Sequence, residues 1–388
     1  MRQHYWLWIL LGLVIAVSGA WWYVGRVNST HPAVWANPGG DEGRRNFAKN
    51  GLPTDPKLLW SYDLLEGGPV VNSRFSVTPP VVWQDGTVYV GLGSKVHAVG
   101  PDGKRKWAWQ AMTPISNLAL GRQGNVYAQA DGILYALRPD GTIEWQVEVP
   151  VRNEDARGLL VGQGGVIYVG GREFLTAVSS TGQRKWRFKG DNMTAGPVEL
   201  DDGKLAVMIG SDLYLLDRNG ETVWDRTAVM PQSVLGLAAY DDKIYVNGTT
   251  GHMVFDKTGL VVTNANSVVP TNHLVAVGPT YVQDGAVRFD GNWSAPLWRD
   301  ESLDRLNTTT SIVDGEGNAV VFTSLVNQRF RGVSVNGIRM LDAKGEVKWA
   351  FTEAFPGTLI AAAGQDRIWF LGYVRDSREV LLICIGDQ

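Results

Sequence analysis

One phrase of about ten residues recurs through the chain and limits the folds open to it. An alternating apolar strand runs into a tight turn that ends in glycine, and a tryptophan follows four residues after that glycine. The copies pair Gly103 with Trp107, Gly141 with Trp145, Gly182 with Trp186, Gly220 with Trp224 and Gly345 with Trp349. Glycine supplies the positive φ that closes such a hairpin. Successive tryptophans stand 38, 41 and 38 residues apart from Trp107 to Trp224, and Trp298 follows after 74, twice 37. The gap holds a weaker copy: Ile244-Tyr245-Val246, Met253 to Asp256, Thr258-Gly259, and Thr263 where the tryptophan would stand. Trp298 closes a copy whose turn is Asp290-Gly291.

Each period carries four short strands, as in Ile115 to Ala119, Val126 to Ala128, Ile133 to Leu137 and Thr142 to Trp145. Four strands in about forty residues, repeated, predict the blades of a β-propeller. After Trp349 come three strands, Leu359 to Ala361, Ile368 to Phe370 and Leu381 to Ile385, and the blade lacks its outer one. Leu58 to Tyr62, with Trp60, reads as an outer strand with no blade of its own. Joining the two gives eight blades, seven continuous and one composite, and removes the open edges of a linear array. The expected class is therefore all-β, an eight-bladed propeller over 56–388. Trp60, Trp107, Trp145, Trp186, Trp224, Trp298 and Trp349 are its expected blade-to-blade docking residues, each worth roughly 3–5 kcal/mol if truncated.

Ahead of the ring, Tyr5 to Val24 carries no charge over twenty residues and is flanked by aromatic residues, which predicts one transmembrane helix after a short flank, 1–4. The competing reading is a signal peptide cleaved near Ser18-Gly19-Ala20, giving a secreted propeller. Either reading places the ring outside the cytoplasm, at the cell surface or in the periplasm. Residues 25–55, rich in Gly, Asn, Pro and charge, read as a tether. A net charge of -3 gives no electrostatic footprint for nucleic acid.

No catalytic, cofactor or metal constellation emerges. Cys384 is the only cysteine, and His4, His31, His97, His252 and His273 show no metal-ligand spacing. His97 and His252 fall in third strands, where packed histidines are expected. The acidic spots Asp201-Asp202, Asp241-Asp242 and Asp314 to Gly317 sit at hairpin positions that turn chemistry explains. Trp83, Trp293 and Trp369 stand outside the motif and are the better candidates among the tryptophans for exposed work, with core burial as the default. Long connections mark the candidate partner contacts: Arg74 and Phe75 between Leu64 and Val77, the charged run Arg152 to Arg157, and Arg329, Phe330 and Arg331 in the oversized blade, whose excess is Leu325 to Val335.

The Ala-x-x-x-Asp-Gly-x-x-x-Trp phrase resembles the tryptophan-docking repeat of the pyrroloquinoline quinone (PQQ) enzyme-like propellers, over residues 58 to 388. The resemblance implies either quinoprotein dehydrogenases or non-catalytic propellers such as the BamB-like subunit of the outer-membrane assembly machinery. The dehydrogenases are longer, carry insertions around the quinone and often a pair of adjacent cysteines, none of which this chain has. The BamB-like relative is lipid-anchored through an N-terminal cysteine, which is absent here and replaced by an apolar span. The expectation is a non-catalytic, membrane-anchored scaffold for other envelope or membrane proteins, without cofactor. The alternatives are a PQQ- and calcium-dependent dehydrogenase or quinone sensor, and a glycan-binding propeller.

Overall fold

The computed structural model describes residues 33–67, 76–229, 234–248, 251–266, 276–284, 287–294, 296–299, 307–327, 332–351, 361–374 and 379–388. The predicted membrane segment Tyr5–Val24 lies outside them. Among the described residues no helix is long and apolar enough to cross a membrane, and helix is limited to a single 3-10 turn at Asn153–Asp155.

Eight antiparallel sheets form the ring. In chain order they span residues 81–110, 117–148, 156–189, 193–226, 234–266, 276–299, 307–351, and 361–386 together with 57–63, and are called blades 1 to 8. Blade 1 shows the local logic. Its second and third strands, Val88–Leu92 and Lys95–Val99, are almost wholly buried, whereas the outer strand Arg105–Gln110 alternates exposed and half-buried residues. The inner strands are covered on both faces by neighbouring blades, so they read as apolar runs. The outer strand is covered on one face only, so it alternates.

Each outer-strand tryptophan ties its blade to the next. The indole N–H donates to a carbonyl in the following docking turn: Trp60 to Pro101 (3.0 Å), Trp107 to Pro139 (2.7 Å), Trp145 to Ser180 (2.9 Å), Trp186 to Arg218 (2.8 Å), Trp224 to Lys257 (3.0 Å) and Trp298 to Ala343 (3.0 Å). The ring lies over the turn glycine. A Cβ on Gly182 would stand 2.9 Å from Trp145, and Gly182 holds φ +83°, so both space and backbone demand glycine. Within its own blade the same indole packs on a second-strand tyrosine, as Tyr127 does with Trp145 at 5.7 Å between centroids.

Blade 5 has no tryptophan, and two hydroxyls replace its indole. Thr263 Oγ1 donates to the Asn292 carbonyl (2.7 Å) and Tyr245 Oη to that of Gly291 (2.8 Å), both in the turn of blade 6. The missing bulk comes from that turn: Trp293, at φ +58°, is fully buried and stacks on His252 at 3.9 Å and 7°. Trp293 and Trp369, candidates for exposed work with core burial as the default, follow the default: both are 0% exposed. Trp83 is half-buried against the turn at Gly124.

The ring closes through blade 8, where Lys57–Asp63 pairs antiparallel with Glu379–Gly386 in the register Leu58 to Ile385 and Tyr62 to Leu382. The covalent break is spliced by the chemistry used in intact turns. In blade 4, Asp217 accepts the N–H groups of Asn219 and Glu221. At the break, Asp387 accepts those of Thr54 and Asp55 (2.9–3.0 Å), and Trp349 docks on the Pro53 carbonyl (2.8 Å).

The expected tether 25–55 requires a correction: from Ala33 onward this segment belongs to the ring. It circles the axis once, meeting the blades in order. Trp35 exchanges backbone bonds with Val82 of blade 1, and the Ala36 carbonyl accepts from Leu120 of blade 2. The Asn37 amide brackets Val161 of blade 3, accepting its N–H (2.8 Å) and donating to its carbonyl (3.2 Å). The carbonyls of Glu42, Gly43, Arg45 and Asn46 accept from Glu199, Ala239, Val277 and Val313 of blades 4 to 7 at 2.8–3.0 Å. Phe47–Ala48 then adds a fifth, parallel strand to blade 7. Val34, Trp35, Ala48 and Leu52 share a core with Ala361, Ala362 and Ala363 of blade 8. Inner strands lack a partner on their axial edge, and this plug supplies one.

Two substitutions test the scheme. Asn37→Ala orphans the buried N–H and carbonyl of Val161 and is expected to cost about 2–4 kcal/mol in urea unfolding. Trp145→Ala removes a half-buried indole and its bond, with an expected loss of about 3 kcal/mol. A loss below about 1 kcal/mol for either contradicts the role described.

Candidate functional site

Antiparallel alternation sorts the connections onto two faces. First strands end, and third strands turn into fourth, on one face; it carries the docking turns and the plug, which bonds the C-terminal ends of the inner strands. The opposite face carries the links between blades and the hairpins between second and third strands. Every long connection singled out in the sequence leaves from that face: the link from Lys57–Asp63 to blade 1, the link between blades 2 and 3 with its 3-10 turn at Asn153–Asp155, and the blade 7 hairpin. In that hairpin Ala319–Asn327 pairs with Gly332–Leu341 through to Asn327 and Gly332, so most of the excess Leu325 to Val335 lengthens a β-ribbon. Arg329, Phe330, Arg331, Arg74 and Phe75 lie outside the described residues.

A cavity of about 510 Å³ opens on the plug from the loop-face side, with Pro38 and Arg44 contributed by the plug. Its walls come from the starts of inner strands and include Ser76, Ser116, Asn117 and Arg157. Most wall groups are engaged: Ser116 donates to Gln129, Asn117 to the Gln129 side chain, and Arg157 to Met193, Glu154 and Ala156. Arg44 is different. Its Nη2 donates to the Leu159 carbonyl (3.2 Å), its Nε has no partner among the described residues, and burial alone pulls its guanidinium down to about 10. The next residue is the contrast, for Arg45 meets Asp41 at 2.7 and 2.6 Å.

A calcium-held quinone does not fit this cavity, because no carboxylate among the described residues lines it. Among the described residues there is also no group of three or more His, Cys, Asp or Glu able to hold a metal ion. His97 and His252 are buried; burial takes the His97 imidazole down to about 4, and His252 bonds the Trp293 carbonyl (2.8 Å). Cys384 is buried in the closing blade, where burial pushes its thiol up to about 12.

The sequence reading missed the plug residues that floor the cavity. The strongest apolar signal near them is Trp35, an indole in a glycine-, proline- and charge-rich stretch.

A family model described as outer membrane protein assembly factor BamB matches residues 52–189 and 130–336. No curated protein sequence matches the chain. Among solved structures it is similar to BamB from Moraxella catarrhalis, with 16% identity and a TM-score of 0.58 over 85% of this chain and 97% of that one. It is also similar to virginiamycin B lyase from Staphylococcus aureus, with 13% identity and a TM-score of 0.52 over 86% and 100%. At these identities the likeness is one of fold.

Where the plug crosses blade 4, two carboxyls meet. Burial, and then the neighbouring Asp41, raise Glu42, while burial lifts Glu199 to about 7 against the Gln163 N–H that bonds it (2.6 Å), with Glu42 adding to the rise. The folded state thus holds protons that the unfolded chain releases near 4.5. Stability from this source is complete below about pH 4.5 and is lost as pH rises through about 7. Glu199→Gln keeps an acceptor for Gln163 and removes the titration. The variant is expected to lose the pH dependence between 5 and 8 and to gain roughly 2 kcal/mol over the parent at pH 8, read by urea unfolding at each pH. An unchanged slope contradicts the assignment.

Proposed function

Because the chain belongs to the family of outer membrane protein assembly factor BamB, we propose that it is a non-catalytic scaffold that binds other envelope proteins through its loop face. The observation that carries this reading is the asymmetry of the ring. The turn face is occupied by docking contacts and by the plug, while the elongated blade 7 hairpin and the long blade links leave from the other face. A rigid ring presents such loops without paying for their placement at each encounter. Arg329, Phe330, Arg331, Arg74 and Phe75 are the residues proposed to meet a partner, since Arg and Phe are enriched at interfaces.

The proposal places the ring outside the cytoplasm, held at a membrane by Tyr5–Val24. Eight residues, 25–32, separate Val24 from Ala33 and reach about 28 Å when extended. Such an anchor would raise the local concentration of the ring near membrane proteins. The lyase likeness is one of fold and does not favour an enzyme; among the described residues the charged groups lining the cavity are Arg44 and Arg157.

Photocrosslinking from position 330 in intact membranes is expected to capture a defined envelope protein. Deletion of Leu325 to Val335 is expected to lose that partner from pull-downs while leaving the unfolding midpoint within about 1 kcal/mol of the parent. An unchanged set of partners after the deletion removes the hairpin from the proposed interface.

A further inference from the structure

We propose that the axial cavity is a binding site for a carboxylate, held by Arg44 on its floor. The cavity falls in the size range of small-ligand pockets. Arg44 is half-buried, its Nε is shielded from solvent without a partner among the described residues, and no carboxylate among them pairs with it, although its neighbour Arg45 directs two nitrogens at Asp41. A guanidinium kept in such surroundings without a counter-charge is costly and invites an anion.

The backbone is shaped to keep it there. Arg44 holds φ +52°, uncommon for any residue but glycine, and Gly158 across from it holds φ +135°. A Cβ on Gly158 would stand 2.6 Å from Arg44 Nη2, so glycine makes the room that the guanidinium occupies. A register shift between Ala156 and Gly158 puts that glycine at the cavity wall. A strained backbone at Arg44, faced by a glycine that leaves room for its guanidinium, is the pattern of a ligand clamp.

The class of anion follows from the donors. Leu159 takes one Nη2 bond and the wall amides and hydroxyls are engaged, so the donors left for a ligand lie mainly on one planar fork. That fork matches a carboxylate in two-pronged fashion. A phosphate presents three acceptor oxygens in a tetrahedron, more than one planar fork can meet. The carboxylate could belong to a small free acid or to the carboxyl terminus of a peptide chain entering from the loop face, and the probes separate these sources.

The test is calorimetric titration of the full-length chain in detergent with succinate, with trialanine bearing a free carboxyl terminus, with its amidated form, and with inorganic phosphate. Saturable binding of succinate or of free trialanine is expected, with the amidated peptide and phosphate at least about tenfold weaker. Binding of free trialanine alone would identify a chain terminus as the source, and of succinate alone a small acid. Arg44→Gln is expected to abolish the heat signal. Arg44→Lys keeps the charge and loses the fork, and is expected to weaken binding about tenfold, which serves if Arg44→Gln does not fold. The proposal is overturned if neither free carboxylate saturates, if phosphate or the amidated peptide binds as well, or if folded Arg44→Lys or Arg44→Gln binds like the parent.

Discussion

The ring depends on the contact between an indole and a glycine in the next blade. A sheet alone cannot bury both faces, and each blade here is completed by its neighbours. The tryptophan adds direction, since it leaves the outer strand of one blade and ends on the docking turn of the next. Because the glycines sit at φ from +76° to +87° at Gly103, Gly141, Gly182, Gly220 and Gly345, the turn and the contact are specified together. Blade 5 shows which part is essential. With Thr263 in place of tryptophan, the hydrogen bond to the next turn survives through a hydroxyl, and the lost volume returns as Trp293 from the other side. Position can change so long as bond and bulk are both supplied.

The axis is governed by a different economy. Inner strands of a propeller present N–H groups toward a channel, and water or a ligand commonly answers them. Here the chain answers with its own residues 35–46, mostly through main-chain carbonyls. The result separates the two ends of the channel. The turn-face end is packed with protein, while the loop-face end remains a cavity whose floor is charged. The long connections and the cavity therefore lie on the same face.

What the sequence made legible was whatever repeats. The blade count, the composite blade and its partner strand follow from the spacing of tryptophans and from the leftover outer strand at Trp60, and Leu58 does lie opposite Ile385. The oversized blade 7 was legible as excess length. The plug was not, because main-chain bonds leave little trace in side-chain identity. Gly39, Gly40 and Asn46 look the same in a linker and in a segment bent to pass eight inner strands. The reason for the burial of Trp293 was hidden in a related way. Its burial compensates for a residue that is missing one blade earlier, and a reading of each copy alone cannot see that debt. The cavity floor needed three distant pieces, Arg44, Gly158 and Asn117, that only the closed ring brings together.

The order in which the plug meets the blades has a further meaning. Its carbonyls and one amide are spaced to satisfy seven inner strands in succession, and its apolar residues fill against the eighth. A ring with one blade fewer would leave a rung of this segment unanswered, and a ring with one more would leave an inner strand bare. Stacked repeats by themselves do not count, since each contact looks only to its neighbour. The plug reads the whole circumference at once, so it acts as a ruler for copy number, written into the chain before the first blade begins.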